Sequence, residues 1–541
     1  MKGVTSMTTL PKVAYFCMEY ALETSIKTYS GGLGVLAGDY MKGVKDNDYP
    51  LIGIGLKWKE GYVKQTIDSK GNVIDAFPEA DYSVLEDTGI TFTVKISNKD
   101  IAVKAWKVAE SVGVKSLYLL DTDLPENTGE VITDRLYGGN HIKRVEQEII
   151  LGVGGIKFLR AVRYPIDVYH FNEGHALLAG IELLREFMED KKLTFDNALQ
   201  AVKAQTVFTT HTPVLAGNEQ HDINYLMDLG ANLHLTKTQM ELIGGKPFNM
   251  TIAALRMSRL ANGVAQLHGE TANQMWKDVK GKSDIIAITN GIHHGTWVDE
   301  TVYESRSNGE ALWNRHMELK RELLSLIKER NGVTLDENTL LIGFARRAAP
   351  YKRSNLVYNS GKLLRQLLAD GQYNIVFSGK AHPADKNGKE IIKDLVALSK
   401  EYPKQVVFLE NYDMAIGAAL TRGSDIWLNN PRRPLEACGT SGMKAAMNGV
   451  PNVSILDGWW PEACKHGENG WAIGDDKVPS KIKEQDKRDA EFLSSVLSEE
   501  VIPTYYDNRK KWIKIMQASI SDTYTEFSVD TMLANYYKRL Y

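Results

Sequence analysis

The sequence predicts an α/β protein made of two doubly wound, Rossmann-like domains facing a cleft. Three observations carry this expectation. Short β-branched or aromatic runs alternate with longer helical patterns, the rhythm of parallel sheets covered by helices. The runs fall into two sets, separated by a polar, helix-patterned stretch over 297–336. The residues that directly follow the runs are rich in charged and hydrogen-bonding groups, as open parallel sheets require when they bind ligands beyond the carboxyl ends of their strands.

The first set of strands is expected at 13–17, 51–54, 114–120, 167–171, 206–210 and 285–289. Between 62 and 120 the pattern changes to single-residue alternation, with turn signals at Ser69, Lys70, Gly71 and Asn72, so an antiparallel insertion is expected there. Residues 311–328 repeat their apolar positions at helical spacing and separate the two halves. The second set is expected at 340–344, 374–377, 405–409, 425–428 and 452–455. The domains that follow are 1–296, carrying the insertion at about 62–120, and 297–541, with the last helix packing back on the first domain.

Composition narrows the function classes. The 541 residues carry 65 Lys plus Arg against 68 Asp plus Glu, a net charge of -3 with no charged block, which argues against nucleic acid or a membrane surface as partner. Cys17, Cys438 and Cys464 form no C-x-x-C pair, so neither a disulfide framework nor a thiolate metal site is expected. The opening MKGVTSMTTLPKVAYF has no apolar stretch of secretory length, and a cytoplasmic location is expected.

Three motifs carry chemistry. In YSGGLGVLAGDY, Gly31, Gly32 and Gly34 precede a helical run and form either a tight turn or a cradle of amides for an anion. In ARRAAPYKR, Arg346, Arg347, Lys352 and Arg353 follow a buried strand, which suits phosphate, although an isolated cluster of this kind also reads as a solvated turn. In the stretch from Glu436 to Lys444, a helix start capped by Thr440 offers N–H groups to a phosphate. Lys444 then lies one turn along, where its amine can condense with an aldehyde cofactor held by that phosphate.

Other patterns exclude chemistry. The sequence contains no H-E-x-x-H, and no catalytic metal is expected. Gly281-Lys282-Ser283 has Trp276 where a phosphate-binding loop needs glycine, and Asp121-Thr122-Asp123 is read as turn capping.

Taken together, GGLG at Gly31 to Gly34, HTP at His211 to Pro213, TNGI at Thr289 to Ile292 with Trp297 following, Arg347 before Tyr351-Lys352, FLENY at Phe408 to Tyr412, and GTSGMK ending at Lys444 resemble the α-glucan phosphorylases. The resemblance runs across most of the chain. It implies a glycosyltransferase fold of type B and reversible, retaining phosphorolysis of the terminal α-1,4-linked glucose of a glucan by orthophosphate, giving α-glucose 1-phosphate. It also implies pyridoxal 5'-phosphate on Lys444, with Thr440, Ser441, Arg346 and Gly32 holding the cofactor phosphate and Tyr412 and Trp297 lining the ring. Arg347 and Lys352, with the amides of Gly31 and Gly32 and neighbouring Leu33, match the orthophosphate side. Glu436, Gly439, Tyr351, Asn290 and His211 match positions around glucose, and Glu173 and His175 the side where the glucan leaves. Lys444, Arg347, Lys352, His211 and Glu436 are the catalytic set, and the family is commonly a homodimer.

This sequence departs from the family at Cys438, usually serine, and at Ala348, Ala349 and Pro350, usually more polar. The chain is shorter than the animal and plant enzymes and lacks a basic, phosphorylatable N-terminal segment, so control of the animal type is not expected. A nucleotide-sugar glucosyltransferase of the glycogen or starch synthase kind shares the architecture but needs no lysine-bound cofactor. A glucan-binding protein without activity would not need Arg347, Lys352 and Lys444.

Overall fold

The computed structural model describes residues 10–541 except 130, 215, 216 and 360; the readings of residues 1–9 lie outside the described residues. The first strands are β1 (Val13–Phe16), β2 (Leu51–Leu56), β3 (Lys64–Ile67), β4 (Val73–Ala76), β5 (Leu85–Ile96), β6 (Lys99–Val108) and β7 (Leu117–Asp121). Then follow β8 (Val168–Asn172), β9 (Thr206–Thr209), β10 (Gln220–His221), β11 (Phe248–Asn249), β12 (Leu260–Gly263) and β13 (Asp284–Ala287). They form a nine-stranded sheet in the order β13-β12-β9-β8-β1-β2-β7-β6-β5, with β3-β4 and β10-β11 as separate pairs.

From β13 to β7 every pairing is parallel, and Val13 of β1 stands in register with Leu51 of β2 and Val168 of β8. These central strands are buried on both faces, which is why their sequences read as continuous apolar runs. β5 and β6 pair antiparallel and alternate buried and exposed residues, the signature of a sheet edge with one wet face. Within the span read as an antiparallel insertion, the pairings β3-β4 and β5-β6 are antiparallel; its long strands extend the main sheet, and the β3-β4 hairpin stands apart. That hairpin reaches the other sheet's loops, where the Gln65 side chain exchanges hydrogen bonds with the Ala381 backbone at 2.8 and 2.9 Å.

The second sheet comprises β14 (Leu340–Ala345), β15 (Tyr373–Ser378), β16 (Val406–Leu409), β17 (Ile426–Asn429), β18 (Asn452–Ile455) and β19 (Gly470–Ile473). It is parallel throughout, in the order β16-β15-β14-β17-β18-β19. The helix Gly309–Asn331 is anchored beneath it by Lys320 and His316, which reach the buried Asp425 at 2.5 and 2.9 Å. The carboxylate thus meets a cation and a ring nitrogen in place of water, as a buried charge requires.

The last helix, Val529–Arg539, lies on Gly32–Asp46. A Cβ on Gly43 would come within 2.7 Å of Val529, so glycine permits the close approach. Among the described residues, no helix is long and apolar enough to cross a membrane.

Candidate active site

Both sheets send their strand-end loops into one cavity of about 890 Å³. From the first sheet come Glu19 after β1, Glu173 and His175 after β8, His211 after β9 and Asn290 after β13. The second contributes Arg346 and Arg347 after β14, Lys380 and His382 after β15, Tyr412 after β16, and Glu436 to Ser441 after β17. Gly31, Gly32, Leu33, Tyr351, Lys352 and Lys444 complete this part of the wall. The site residues named from the sequence therefore line the cavity except Trp297, which lies beneath it, and Arg353, whose place in the phosphate-suited cluster is corrected: its side chain is buried away from the cavity against Asp486 and Asp489 at 3.0 and 2.8 Å.

Lys444 sits on the helix Thr440–Met447. The cap of this helix is Gly439 at φ 87°, not Thr440, because the chain enters in the left-handed region that glycine tolerates. The Lys444 amine lies 3.3 Å from the centre of the Trp297 ring, and Trp297 is fixed in turn by donating to both oxygens of Asp39 at 2.8 Å. Among the described residues the amine has no hydrogen-bond or ion-pair partner. Burial pushes its pKa down to about 8, with Asp39 opposing and Lys42 adding to the fall. Such an amine keeps a substantial neutral, nucleophilic fraction near neutral pH.

Beside it, Glu436 accepts from Lys352 at 2.6 and 2.7 Å and from Arg346. Burial alone would raise this carboxyl, but the two cations outweigh it and hold the pKa at about 2. The Glu436 backbone N–H donates to Asp457 at 2.9 Å, which fixes the strand-end turn from behind. Arg346 Nη1 is buried without a hydrogen-bond partner, and Arg347 is exposed and unpaired among the described residues. Two guanidinium groups and an ammonium against one carboxylate leave this end of the cavity net cationic.

The opposite wall carries carboxylates, an arginine and uncharged histidines. His211 Nε2 lies 2.6 Å from Asn172 Oδ1, while Glu173 accepts from the His211 backbone at 2.7 Å and from Thr212 at 3.2 Å. Glu173 holds a positive φ of 70°, a strained conformation for a residue with a side chain. Burial pushes His175 and His211 down to about 3, so both rings are uncharged hydrogen-bonding groups at neutral pH.

Glu19 was not foreseen. It accepts from Tyr137 Oη and Ser30 N, both at 2.6 Å, and from Gly31 N at 3.3 Å. The Gly31 amide, expected to face orthophosphate, is thus directed at this carboxylate, a correction that leaves the Gly32 end of the loop on the cavity. Tyr137, Arg144 and Lys380 also line the wall without having been singled out. Asp121 behaves as read, accepting from Asp123 N at 2.9 Å and pairing with Lys57 at 2.8 Å.

The family model for carbohydrate phosphorylase matches residues 300–467, the span that contributes Arg346, Arg347, Glu436 and Lys444. A maltodextrin phosphorylase of Thermococcus litoralis is 39% identical over 98% of this chain and 70% of its own length. The chain belongs to the carbohydrate phosphorylase family. Also similar to this chain are a glycogen phosphorylase of Aquifex aeolicus, 33% identical over 98% of this chain and 86% of that protein, and an uncharacterised protein of Methanocaldococcus jannaschii, 34% identical over 98% and 99%. Family membership spans both sheets, since these matches cover nearly the whole chain.

The residues at the cationic end fit the cofactor that the family implies. An unpartnered buried amine, an unpartnered Arg346 Nη1 and a helix N-terminus bearing Thr440 and Ser441 meet at one wall. A cofactor carrying both an aldehyde and a phosphate satisfies all three.

Proposed function

We propose that this protein is an α-1,4-glucan phosphorylase, cleaving the terminal glucose of maltodextrin- or glycogen-type glucans with orthophosphate to give α-glucose 1-phosphate with retention. The observation that carries the reading is the unpaired Lys444 amine, buried on Trp297 beside a net cationic wall. Lys444 would bear pyridoxal phosphate, with Thr440, Ser441, Arg346 and Gly32 around its phosphate and Tyr412 and Trp297 around its ring. When bound, the cofactor supplies a phosphate group that exchanges protons with the substrate phosphate.

The chain's own residues do the rest. Arg347 and Lys352 hold orthophosphate, because two multiply charged phosphates approach each other only where fixed cations offset their repulsion. Glu436, freed from Lys352 as phosphate takes over that amine, turns its charge toward the sugar, where positive charge develops in the transition state. Asn290, Tyr351, His211 and the Gly439 backbone orient the glucose hydroxyls. Glu173 and His175 line the side from which the glucan leaves.

The two parallel sheets around one cavity support a type B glycosyltransferase arrangement; the reading further takes domains at 1–296 and 297–541, a homodimeric assembly, as the resemblance to the family implies, and a cytoplasmic location. Borohydride treatment of the yellow protein, followed by peptide mapping, tests the cofactor assignment. The reading expects bleaching and a reduced pyridoxyl label on Lys444. A colourless protein that elongates glucan from a nucleotide sugar overturns it.

A further inference from the structure

Behind the cavity wall lies a cluster that the proposed reaction does not use. Glu148, on the helix His141–Ile149, meets Glu219 and His221 from the segment that enters and forms β10. One ligand atom from each of the three lies within 4.8 Å of the others. His221 Nε2 stands 3.8 Å from Glu148 Oε2 and 3.7 Å from Glu219 Oε1, too far for a hydrogen bond. The His221 side chain is only 3% exposed and that of Glu148 is 0% exposed. His221 Nε2 and both Glu148 oxygens have no hydrogen-bond partner among the described residues. Three buried polar atoms thus converge on one point without a hydrogen-bond partner.

Charge gives the same indication. Arg144 lies 3.2 Å from Glu219 and 3.6 Å from Glu148, so the two carboxylates and one guanidinium leave a buried excess of one negative charge. A buried unbalanced charge is costly, and a cation must offset it. A proton on the line between the two carboxylates would do so but leave His221 Nε2 without a partner. A metal ion meets all three donors. With metal–ligand bonds of about 2.0–2.2 Å, tetrahedral donors stand roughly 3.4 Å apart, a few tenths of an ångström inside the spacing of His221 from the carboxylates.

We infer that Glu148, Glu219 and His221 form a structural site for a divalent transition-metal ion of the zinc class, to which one imidazole and two carboxylates are suited. Arg144 lies in the shell outside the ligands, where it holds Glu219 and limits the charge that the site gathers. The ion would tie the helix that presents Asn140, His141 and Arg144 to the cavity to the segment just beyond Gly217, which lines the same cavity. It would take no part in bond breaking, so loss of the site and loss of phosphorolysis are separate outcomes.

The test uses the full-length protein, stripped with a chelator and then dialysed against zinc sulfate followed by metal-free buffer. Elemental analysis should find about one zinc per chain, and cobalt in its place should give the visible bands of a tetrahedral site. Glu148→Gln and His221→Ala should each retain less than about a tenth of that metal, and zinc should raise the unfolding temperature of the parent protein but of neither variant. If a variant does not fold, the cobalt spectrum and zinc-dependent unfolding temperature of the parent protein decide. No retained metal overturns the inference, as does equal retention by the variants. A metal-free protein that Glu148→Gln stabilises identifies a shared proton as the occupant and also overturns it.

Discussion

The buried amine of Lys444 offers the sharpest physical prediction. At pH 7 an amine with a pKa of about 8 is neutral in about one molecule in ten, whereas an ordinary lysine near 10.4 is neutral in about four in ten thousand. The neutral form attacks an aldehyde, so the site gains roughly 200-fold in reactive amine. The linkage runs in a definite direction. Because the folded pKa lies below the unfolded value of 10.5, the unfolded chain binds more protons between the two, and the apoprotein gains stability as pH rises from about 8 to 10.5. Holding the charged amine in the fold costs about 3 kcal/mol at neutral pH. Two substitutions move the amine in opposite directions: Lys42→Met removes a neighbouring cation and raises its pKa, while Asp39→Asn removes an anion and lowers it. Each unit of change alters the neutral fraction about tenfold at pH 7. The assay is the rate of pyridoxal phosphate uptake by the apoprotein across neutral and alkaline pH, followed by absorbance. A midpoint near 8 that rises in Lys42→Met and falls in Asp39→Asn is expected. A midpoint above 10, or movement in the same direction in both variants, refutes the reasoning.

Three further outcomes follow from the same wall. Arg347→Ala should leave the unfolding temperature unchanged, since Arg347 is exposed and unpaired, while raising the apparent phosphate requirement by roughly 10- to 100-fold and the glucan requirement far less; equal effects on both would misplace Arg347. Glu436 has a folded pKa below its usual 4.5, so its contribution of about 3 kcal/mol is present above pH 4.5 and lost as pH falls toward 2. Glu436→Gln should flatten acid unfolding in that window, and orthophosphate should stabilise this variant more than the parent, because it leaves Arg346 and Lys352 without their carboxylate. In Gly442→Ala the new Cβ would fall 2.5 Å from Asn452 Oδ1, displacing the helix that carries Lys444; a loss of about 1–3 kcal/mol in denaturant unfolding, with weakened cofactor retention, is expected.

The parts of the fold that were legible are those where burial acts on both faces of a strand. β1, β8 and β14 stand out because parallel central strands leave no polar positions to interrupt the run. β12, Leu-Ala-Asn-Gly, and β19, Gly-Trp-Ala-Ile, were missed because small and polar residues there serve close packing: a Cβ on Gly263 would strike Gly269 at 2.9 Å. The long β5 and β6 were recognised as antiparallel, but nothing local in them reveals that they continue the main sheet instead of leaving it.

In the site, the rule that function follows strand ends found Glu173, His211, Arg347 and Glu436. The same rule applied to the first strand would have found Glu19, two residues beyond Cys17. Thr440 is the residue type that caps helices most visibly, yet the positive φ at Gly439 moves the cap one residue earlier. Tyr137 and Arg144 could not be read from spacing, because they reach the cavity from a loop and a helix flank. Glu148 and Glu219 are likewise brought together by the fold across 71 residues of sequence.

The central claim concerns a reaction, and one measurement addresses it directly. The holoprotein is incubated with a maltooligosaccharide series, with and without orthophosphate, and the products are followed by phosphorus and proton resonance. The account predicts α-glucose 1-phosphate formed only with phosphate, one glucose lost per turnover from the chain end, and no product from Lys444→Ala. Free glucose without phosphate, the β-anomer, or full turnover by Lys444→Ala would contradict it.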